Sequence, residues 1–324
     1  MTDSGDADPG AQASSVVADI DPECGPTDQT VLVTGGAGFI GSHLVDALRR
    51  RNEVRVLDNL SSGDRERVPA DVELIVGDIR DDETVREAAA GVDVIFHEAA
   101  QVSVAASMEE PLETHAANAT GTLHVLEAAR QADATVVLAS SAAVYGDPES
   151  VPIDESHPTN PKSPYGQSKL AAEQYAQLYS ECYDVETVGL RYFNVYGPRQ
   201  SMEYAGVITI FLEQARQDDP LTVHGDGTQT RDFVFVGDVV RANLLAATQG
   251  DSGAVYNVGT GRSISIRELA ELIIEVTNAD SSIEHVEARS GDIERSQAVI
   301  ESIREDFGFE PSVGLTDGLR TLTN

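Results

Sequence analysis

The chain predicts an α/β fold, a doubly wound parallel sheet of the Rossmann type with a smaller C-terminal α+β lobe. Three observations carry this. Six short apolar runs, Val31–Val33, Val54–Leu57, Val72–Val76, Val92–Phe96, Thr135–Leu138 and Thr187–Leu190, recur about every 20 to 45 residues with helix-compatible stretches between them, the rhythm of βαβ units. The first run passes straight into Thr34-Gly35-Gly36-Ala37-Gly38-Phe39-Ile40-Gly41, after which Ile40, Leu44, Val45 and Leu48 mark one helix face. A length of 324 residues, 41% of them apolar, suffices for one large α/β unit that buries a real core and carries an appended lobe.

Residues 1–29 are rich in Asp, Ser, Ala, Gly and Pro without periodic hydrophobicity, which predicts a mobile acidic tail. Residues 30–196 are the predicted dinucleotide-binding domain. At its start the glycines permit a tight turn and let the backbone approach a pyrophosphate, which sits at the positive N-terminus of the following helix. Strand, turn and helix come in the order such a site requires. Asp58 ends the second run in Val56-Leu57-Asp58-Asn59. A carboxylate there accepts hydrogen bonds from an adenosine ribose 2′-hydroxyl and repels a 2′-phosphate, which favours NAD over NADP; it equally suits a turn cap, and Arg65 and Arg67 stand nearby. Gly77-Asp78-Ile79, after the third run, offers a side chain or backbone to the adenine.

After Gly197 the rhythm loosens. Residues 197–231 and 259–324 are the predicted substrate lobe, with helices expected at Val207–Arg216, Ile266–Val276 and Ser296–Phe307. Between them, about residues 232–258 are expected to rejoin the main domain, with Arg231–Val240 and Ala254–Val258 returning a strand or two to the sheet.

The formal charge is −33, from 55 acidic and 22 basic residues, and only two of the basic residues, Lys162 and Lys169, are lysine. Such an excess self-repels at low salt, but at molar salt the Debye length is only about 3 Å. Acidic surface with lysine depletion therefore points to a halophile-like, salt-rich cytoplasm. It argues against a nucleic-acid partner, which needs basic clusters. Two isolated cysteines, Cys24 and Cys182, suit a reducing compartment, and the seven histidines lack metal-ligand spacing, so no metal site is expected. No leader pattern or run of 18 apolar residues is found, so neither secretion nor a membrane span is expected and the cytoplasm is the expected location.

One of the two lysines stands four residues after Tyr165 in Ser163-Pro164-Tyr165-Gly166-Gln167-Ser168-Lys169. Residues four apart share a helix face, and a buried ammonium beside a phenol favours the phenolate. Tyr165 is thus a candidate base; the same spacing also fits an ordinary exposed helix pair. Ser163 and Pro164 make a plausible N-cap and first helical position.

Taken in order, the Gly35–Gly41 turn, His97-Glu98-Ala99-Ala100-Gln101, Asn118-Ala119-Thr120-Gly121-Thr122, Ser140-Ser141-Ala142-Ala143-Val144-Tyr145-Gly146, Tyr165-x-x-x-Lys169, Arg191-Tyr192-Phe193-Asn194 and Arg231-Asp232-Phe233-Val234 resemble the extended short-chain dehydrogenase/reductases. Within them the chain is similar to the UDP-glucose 4-epimerase family of NAD-dependent nucleotide-sugar epimerases, over roughly Val31 to Leu322. The resemblance implies a catalytic set of Ser141, Tyr165 and Lys169. The Tyr165 phenolate would take the sugar 4-hydroxyl proton while C4 gives its hydride to the nicotinamide. Lys169 would hold the nicotinamide ribose and, with NAD⁺, lower a phenol pKa of ~10 by about 3 units, roughly 4 kcal/mol. Ser141 would donate or relay a hydrogen bond at the same hydroxyl.

The resemblance further implies an NAD site formed by Gly35, Gly38, Phe39, Ile40 and Gly41 at the phosphates, with Asp58, Asn59, Asp78 and Ile79 on the adenosine side. Ala99, Ala100, Asn118, Tyr165, Lys169, Tyr192 and Phe193 complete it. Ser103, Ser141, Tyr165, Asn194, Arg231, Arg289, Asp292 and Ser296 are implied to bind the nucleotide-sugar. Arginines 231 and 289 suit its pyrophosphate through the guanidinium fork, and also suit surface ion pairs. Bland readings stay open for Ser141 as a strand-end turn residue and for Tyr165 as a helix-start packing residue.

Similar nucleotide-sugar 4,6-dehydratases place an Asp and a Glu after the catalytic hydroxyl residue, and decarboxylases usually a Glu. Here Ala142 and Ala143 stand there, and a methyl group transfers no proton. Simple 4-epimerisation needs neither acid. Ser296, seven residues after Arg289, is small where a large aromatic would exclude N-acetyl groups, so UDP-glucose and UDP-galactose are expected with room for UDP-N-acetylhexosamines. A reductase, dehydratase, uronate epimerase or non-catalytic NAD-binding regulator of the same fold are the alternatives. The resemblance also implies a homodimer paired through helices around Leu112–Ala132 and Pro164–Cys182.

Overall fold

The structure, a computed structural model, describes residues 16, 20, 24–202, 206–288 and 293–323. Seven parallel strands form the central sheet: β1 (Thr30–Thr34), β2 (Glu53–Asp58), β3 (Glu73–Val76), β4 (Val94–His97), β5 (Thr135–Ser141), β6 (Thr187–Tyr192) and, arriving late in the chain, a strand at Val255–Val258. Their spatial order is β3-β2-β1-β4-β5-β6 and then the late strand. Between β1 and β4 the order of connection reverses, which in a doubly wound sheet opens a crevice beyond the C-terminal strand ends.

Buried parallel strands read as continuous apolar runs because both faces are covered. In β1 the period of two sends Val31 and Val33 into one core and Leu32 into the other. On the first face lie α1 (Phe39–Leu48) and a later helix, Val236–Gln249; on the second lie α2 (Asp82–Ala88), a helix over Gly121–Ala132 and the long Pro164–Tyr183. Short α3 (Val104–Glu109) and α4 (Pro111–His115) lead through a wide turn, Ala116–Thr120, into α5 (Gly121–Ala132), and Pro164–Tyr183 is α6. The Ser163 hydroxyl accepts the Gly166 N–H at 3.1 Å and Pro164 occupies the first turn of α6. That cap fixes where Tyr165 and Lys169 enter the fold.

After β6 the chain forms β7 (Asn194–Tyr196), α7 (Val207–Arg216), β8 (Leu221–His224), β9 (Thr230–Arg231), β10 (Phe233–Phe235), α8 (Val236–Gln249), β11 (Val255–Val258), β12 (Ile264–Ser265), α9 (Ile266–Thr277), β13 (Ile283–Val286), α10 (Glu301–Phe307) and α11 (Leu315–Thr321). Of these, α8 and β11 belong to the main layers: β11 pairs with β6 and α8 packs on α1. The stretch expected to add a strand at 231–240 differs. Phe233–Phe235 pairs with β7 in a separate two-stranded ladder, and Val236 already starts α8. The helix expected from Ser296 starts at Glu301, because Ala298 bridges Ile153 and the Val299 N–H is spent on the Ile153 carbonyl at 2.8 Å.

Most of the segment read as an acidic tail lies outside the described residues. Its described part is anchored: Val16, Ile20 and Cys24 pack on the first core, Asp28 donates its N–H to Arg51 O at 2.9 Å and Asn52 donates to Pro26 O at 3.0 Å.

Candidate active site

A cleft of about 520 Å³ opens over the C-terminal ends of β1, β2, β4, β5 and β6. Its floor at β1 is the glycine turn. Gly35 has φ +71°, and a Cβ on it would meet the Ala99 backbone at 2.7–2.8 Å, so only glycine fits there. A Cβ on Gly41 would strike the backbone of Gly35, with the carbonyl carbon at 2.8 Å. The first turn of α1 carries no acidic residue and Gly38, its N-cap, adds no side-chain bond. In a chain with 55 acidic residues, this helix end is left with its positive dipole and free N–H groups, a ready anion seat.

Asp58 closes β2 at 8% exposure, its Oδ2 accepting the Ala37 N–H at 2.9 Å and its Oδ1 the Leu60 N–H at 2.8 Å. The carboxylate thus ties its own turn to the glycine turn while lining the cleft, and each oxygen has further acceptor capacity. Asn59 donates to Asp78 Oδ2 at 2.9 Å, and Arg80 holds the Asp78 carboxyl well below the usual carboxylate range through its side-chain hydrogen bonds. Asn59, Asp78 and Ile79 all line the cleft where it passes the ends of β2 and β3. Gln200 and Ser201, which no motif marked, also line the cleft, as do Arg67, noted above only as a neighbour of Asp58, and Gln101, quoted only within a motif. Arg67 is half-buried, and burial lowers its pKa. The Gln101 Oε1 is buried without a protein partner.

Asn118 does not reach the cleft wall. Its amide is spent behind it, accepting the Gln101 N–H at 2.8 Å and donating to Gln101 O and to Ser168 Oγ, each at 3.0 Å. It braces the loop after β4 against α6. Below, His97 bridges Thr34 Oγ1 at 2.7 Å and Thr122 Oγ1 at 3.0 Å. Burial, then the Lys169 charge, pushes its pKa down to about 3, so it is a neutral structural link.

Ser141, Tyr165, Lys169, Tyr192 and Phe193 meet at the far end of the cleft. Ser141 ends β5, and its hydroxyl accepts the Ala143 N–H at 3.2 Å and bonds the Tyr165 phenol. Lys169 is 5% exposed and donates to Ala139 O at 2.8 Å. Burial lowers its pKa to about 8, opposed by the Glu98 carboxylate. Burial raises the Tyr165 phenol, the Ser141 hydrogen bond opposes this, and Glu98 adds to the rise. The Lys169 charge is turned toward Glu98 and the Ala139 carbonyl.

A buried polar lattice supports these strand ends. Glu173 on α6 accepts from Ser140 Oγ at 2.8 Å and pairs with Arg191 at 2.5 Å, both ions nearly sealed from water. Arg191 also donates to the Tyr145 hydroxyl at 2.8 Å, which donates to Asn257 on β11 at 2.7 Å. Strand β11 is thereby keyed to the catalytic side of the sheet.

The residues expected to bind substrate are scattered by comparison. Asn194, between the cleft-lining Phe193 and Val195, donates to Asp232 O at 3.1 Å. Arg231 and Ser296 stand together on the lobe: Arg231 donates to Thr230 O at 2.8 Å and the Ser296 N–H reaches the same carbonyl at 3.1 Å. Ser103 caps α3 by accepting the Ala106 N–H at 3.1 Å. None of these four side chains lines the cleft wall among the described residues. Arg289 and Asp292 lie outside the described residues. Asp232, quoted only as part of a motif, is the hub of this region: fully buried, it accepts from Thr260, Gly261 and Ala298.

A glycine cradle under a helix N-terminus, an acid at the end of β2 and a Ser–Tyr–Lys constellation across the switch point define a dinucleotide-dependent enzyme of the short-chain dehydrogenase type. The chain belongs to the NAD dependent epimerase/dehydratase family, whose pattern matches residues 31–259. It is 41% identical over 298 residues to the UDP-glucose 4-epimerase of Mycolicibacterium smegmatis, covering 89% of this chain and 95% of that one. Among solved structures it superposes on the UDP-glucose 4-epimerase of Thermotoga maritima with UDP-glucose, at TM-score 0.88 and 38% identity over 91% of this chain and 97% of that one. It matches equally, at TM-score 0.88 and 36% identity over 92% and 98%, the UDP-N-acetylglucosamine 4-epimerase of Methanobrevibacter ruminantium in complex with UDP-N-acetylmuramic acid. The cofactor is NAD, and the residues present fit it: Gly35 and Gly41 leave no room for a Cβ, the first turn of α1 has no competing acid, and the Asp58 carboxylate lines the cleft at the end of β2.

Proposed function

We propose that the chain is a nucleotide-sugar 4-epimerase that interconverts UDP-glucose and UDP-galactose and also admits the UDP-N-acetylhexosamine pair. The observation that carries this is the Ser141–Tyr165–Lys169 set at the cleft, with Ala142 and Ala143 directly after Ser141 in the chain, methyl side chains at the positions where eliminating relatives need an acid and a base. Bound NAD supplies a reversible hydride acceptor for C4. Tyr165 takes and returns the 4-hydroxyl proton, Ser141 holds that hydroxyl and the phenol in line, and Lys169 supplies the positive charge that favours phenolate. Arg231 and Asn194, with Arg289, serve the diphosphate of the substrate, and the small Ser296 leaves the hexose end roomy.

The active form is a homodimer working in molar salt. Leu112, 84% exposed, together with Met108, Tyr175, Leu178 and Tyr183, leaves apolar side chains in the open on α3, α4 and α6, and the charge of −33 suits high ionic strength. Incubation of the purified protein with UDP-galactose in molar salt, without added reductant, tests the activity. Formation of UDP-glucose is expected; no interconversion of either the hexose or the N-acetylhexosamine pair would refute it.

A further inference from the structure

At the C-terminal ends of three adjacent strands the fold assembles a group that the proton relay above leaves unused. The β4–β5 register pairs His97 with Leu138, which sets Glu98 beside Ala139, the residue whose carbonyl accepts the Lys169 ammonium at 2.8 Å. From the other side Tyr192, paired with Ser141 across β5 and β6, donates its hydroxyl to Glu98 Oε1 at 2.8 Å. That phenol is itself held by Asn243 of α8 at 2.8 Å. Glu98 therefore presents a fixed carboxyl on the cleft wall, in the same strand-end cluster as an ammonium that is 5% exposed. A buried ammonium without a counter-charge reverts to the neutral amine, and a neutral amine does nothing for a phenolate.

We propose that Glu98 is a positioning residue for the 4-epimerase reaction, the counter-ion that keeps Lys169 protonated and aimed into the cleft. It has this role only with Tyr165 and Lys169 acting as described under the proposed function. The groups facing it are Lys169 and Tyr165 from α6 and Tyr192 from β6; His97 on its own strand is held neutral, and α8 contributes Asn243, which does not titrate. Burial pushes Glu98 up to about 7 and Lys169 down to about 8, each opposed by the other's charge. The same carboxylate raises Tyr165. Removing it therefore lowers the pKa of both Lys169 and Tyr165, and both limbs of the pH profile of kcat/KM move to lower pH. A residue that merely packed would lower the profile without moving it.

The scarcity of lysine makes this directly measurable, because lysine labelled with ¹³C at Cε yields signals from Lys162 and Lys169 alone. In the NAD-loaded protein at molar salt, Lys169 is expected to inflect below the ordinary lysine value. Glu98→Gln is expected to lower the Lys169 inflection by about 1 to 3 units and leave Lys162 in place, while Glu98→Asp retains most of the wild-type position. An unmoved Lys169 inflection in folded Glu98→Gln overturns the assignment. Where that variant does not fold, the wild-type protein decides: a second, lower inflection in the Lys169 signal reports Glu98, and a single inflection overturns the coupling. The titration uses no sugar, so a protein that titrates as expected but converts no UDP-hexose refutes the epimerase reading and leaves the Glu98–Lys169 pair standing.

Discussion

Replacing Gly41 by alanine puts the cofactor cradle to its hardest test. A Cβ at this position would stand 2.8 Å from the Gly35 carbonyl carbon and 2.9 Å from the Gly36 Cα, where ordinary carbon contacts lie at about 3.5–4.0 Å. Every one of these neighbours is backbone, so no side chain can swing aside and the turn itself has to open by roughly 1 Å. Misplacing a binding group by that much costs on the order of 10²-fold, or about 2.8 kcal/mol at 1.4 per tenfold change. Gly38→Ala is the internal control: its Cβ would meet a single atom, Gly35 O, at 3.1 Å, and its loss should stay under about tenfold. NAD affinity measured by calorimetry, with thermal unfolding followed in parallel, reads both variants. Gly41→Ala binding NAD as tightly as the wild type, with an unchanged fold, would refute the close-approach reasoning and with it the placing of the diphosphate over this turn.

Tyr165→Phe should keep NAD bound while turnover of UDP-galactose falls by about 10²- to 10⁴-fold; retained activity would remove Tyr165 from the proton path. Arg191→Met leaves the Glu173 carboxylate buried without its partner, and chemical denaturation should show a loss of about 3–5 kcal/mol. Burial holds His97 at about 3 and His43 at about 4 against an ordinary 6.5. The unfolded chain therefore binds more protons below pH 6.5, and stability is present above that pH and drains away as pH falls. For His97 alone the loss is about 2 kcal/mol by about pH 5; a denaturation midpoint flat from pH 7 to 5 at fixed salt would contradict it. Leu112→Glu paired with Leu178→Glu should turn the proposed dimer into monomers by sedimentation velocity, with NAD still bound.

The sheet was legible because its signals are local. Each strand of the first six carries its own apolar run, and the β1–α1 turn carries its own glycines, so periodicity and spacing reach them without tertiary information. The returning segments were less legible. Phe233–Phe235 and Val255–Val258 are equally apolar triplets and quartets, and only pairing across about 40 to 65 residues of chain decides that one joins β7 and the other β6. The helix expected from Ser296 was shortened for the same reason, through the Ile153 bridge. At the site, Ser141, Tyr165 and Lys169 could be named from motifs, but their burial and the neighbourhood of Glu98 could not, because both are properties of the assembled strand ends. The bracing role of Asn118 between Gln101 and Ser168 was not legible from its motif, because it depends on α6 being packed against that loop. Glu98 had one available signal, as the sole charged side chain between His97 and the alanine pair.

The position of β11 bears on how this protein comes to be folded. Strand β6 is buried along all six residues between β5 and β11, yet its second neighbour is encoded at Val255–Val258, about 65 residues later and on the far side of lobe elements. A nascent chain emerging N-terminus first thus holds β6 as an uncovered apolar edge, with unpaired main-chain groups, while the lobe segments are still being made. The non-local pairing that ends this exposure is the slow kind. Truncation before residue 255 should accordingly yield aggregates rather than a free NAD-binding domain, and chaperone dependence should be concentrated in the interval before β11 emerges.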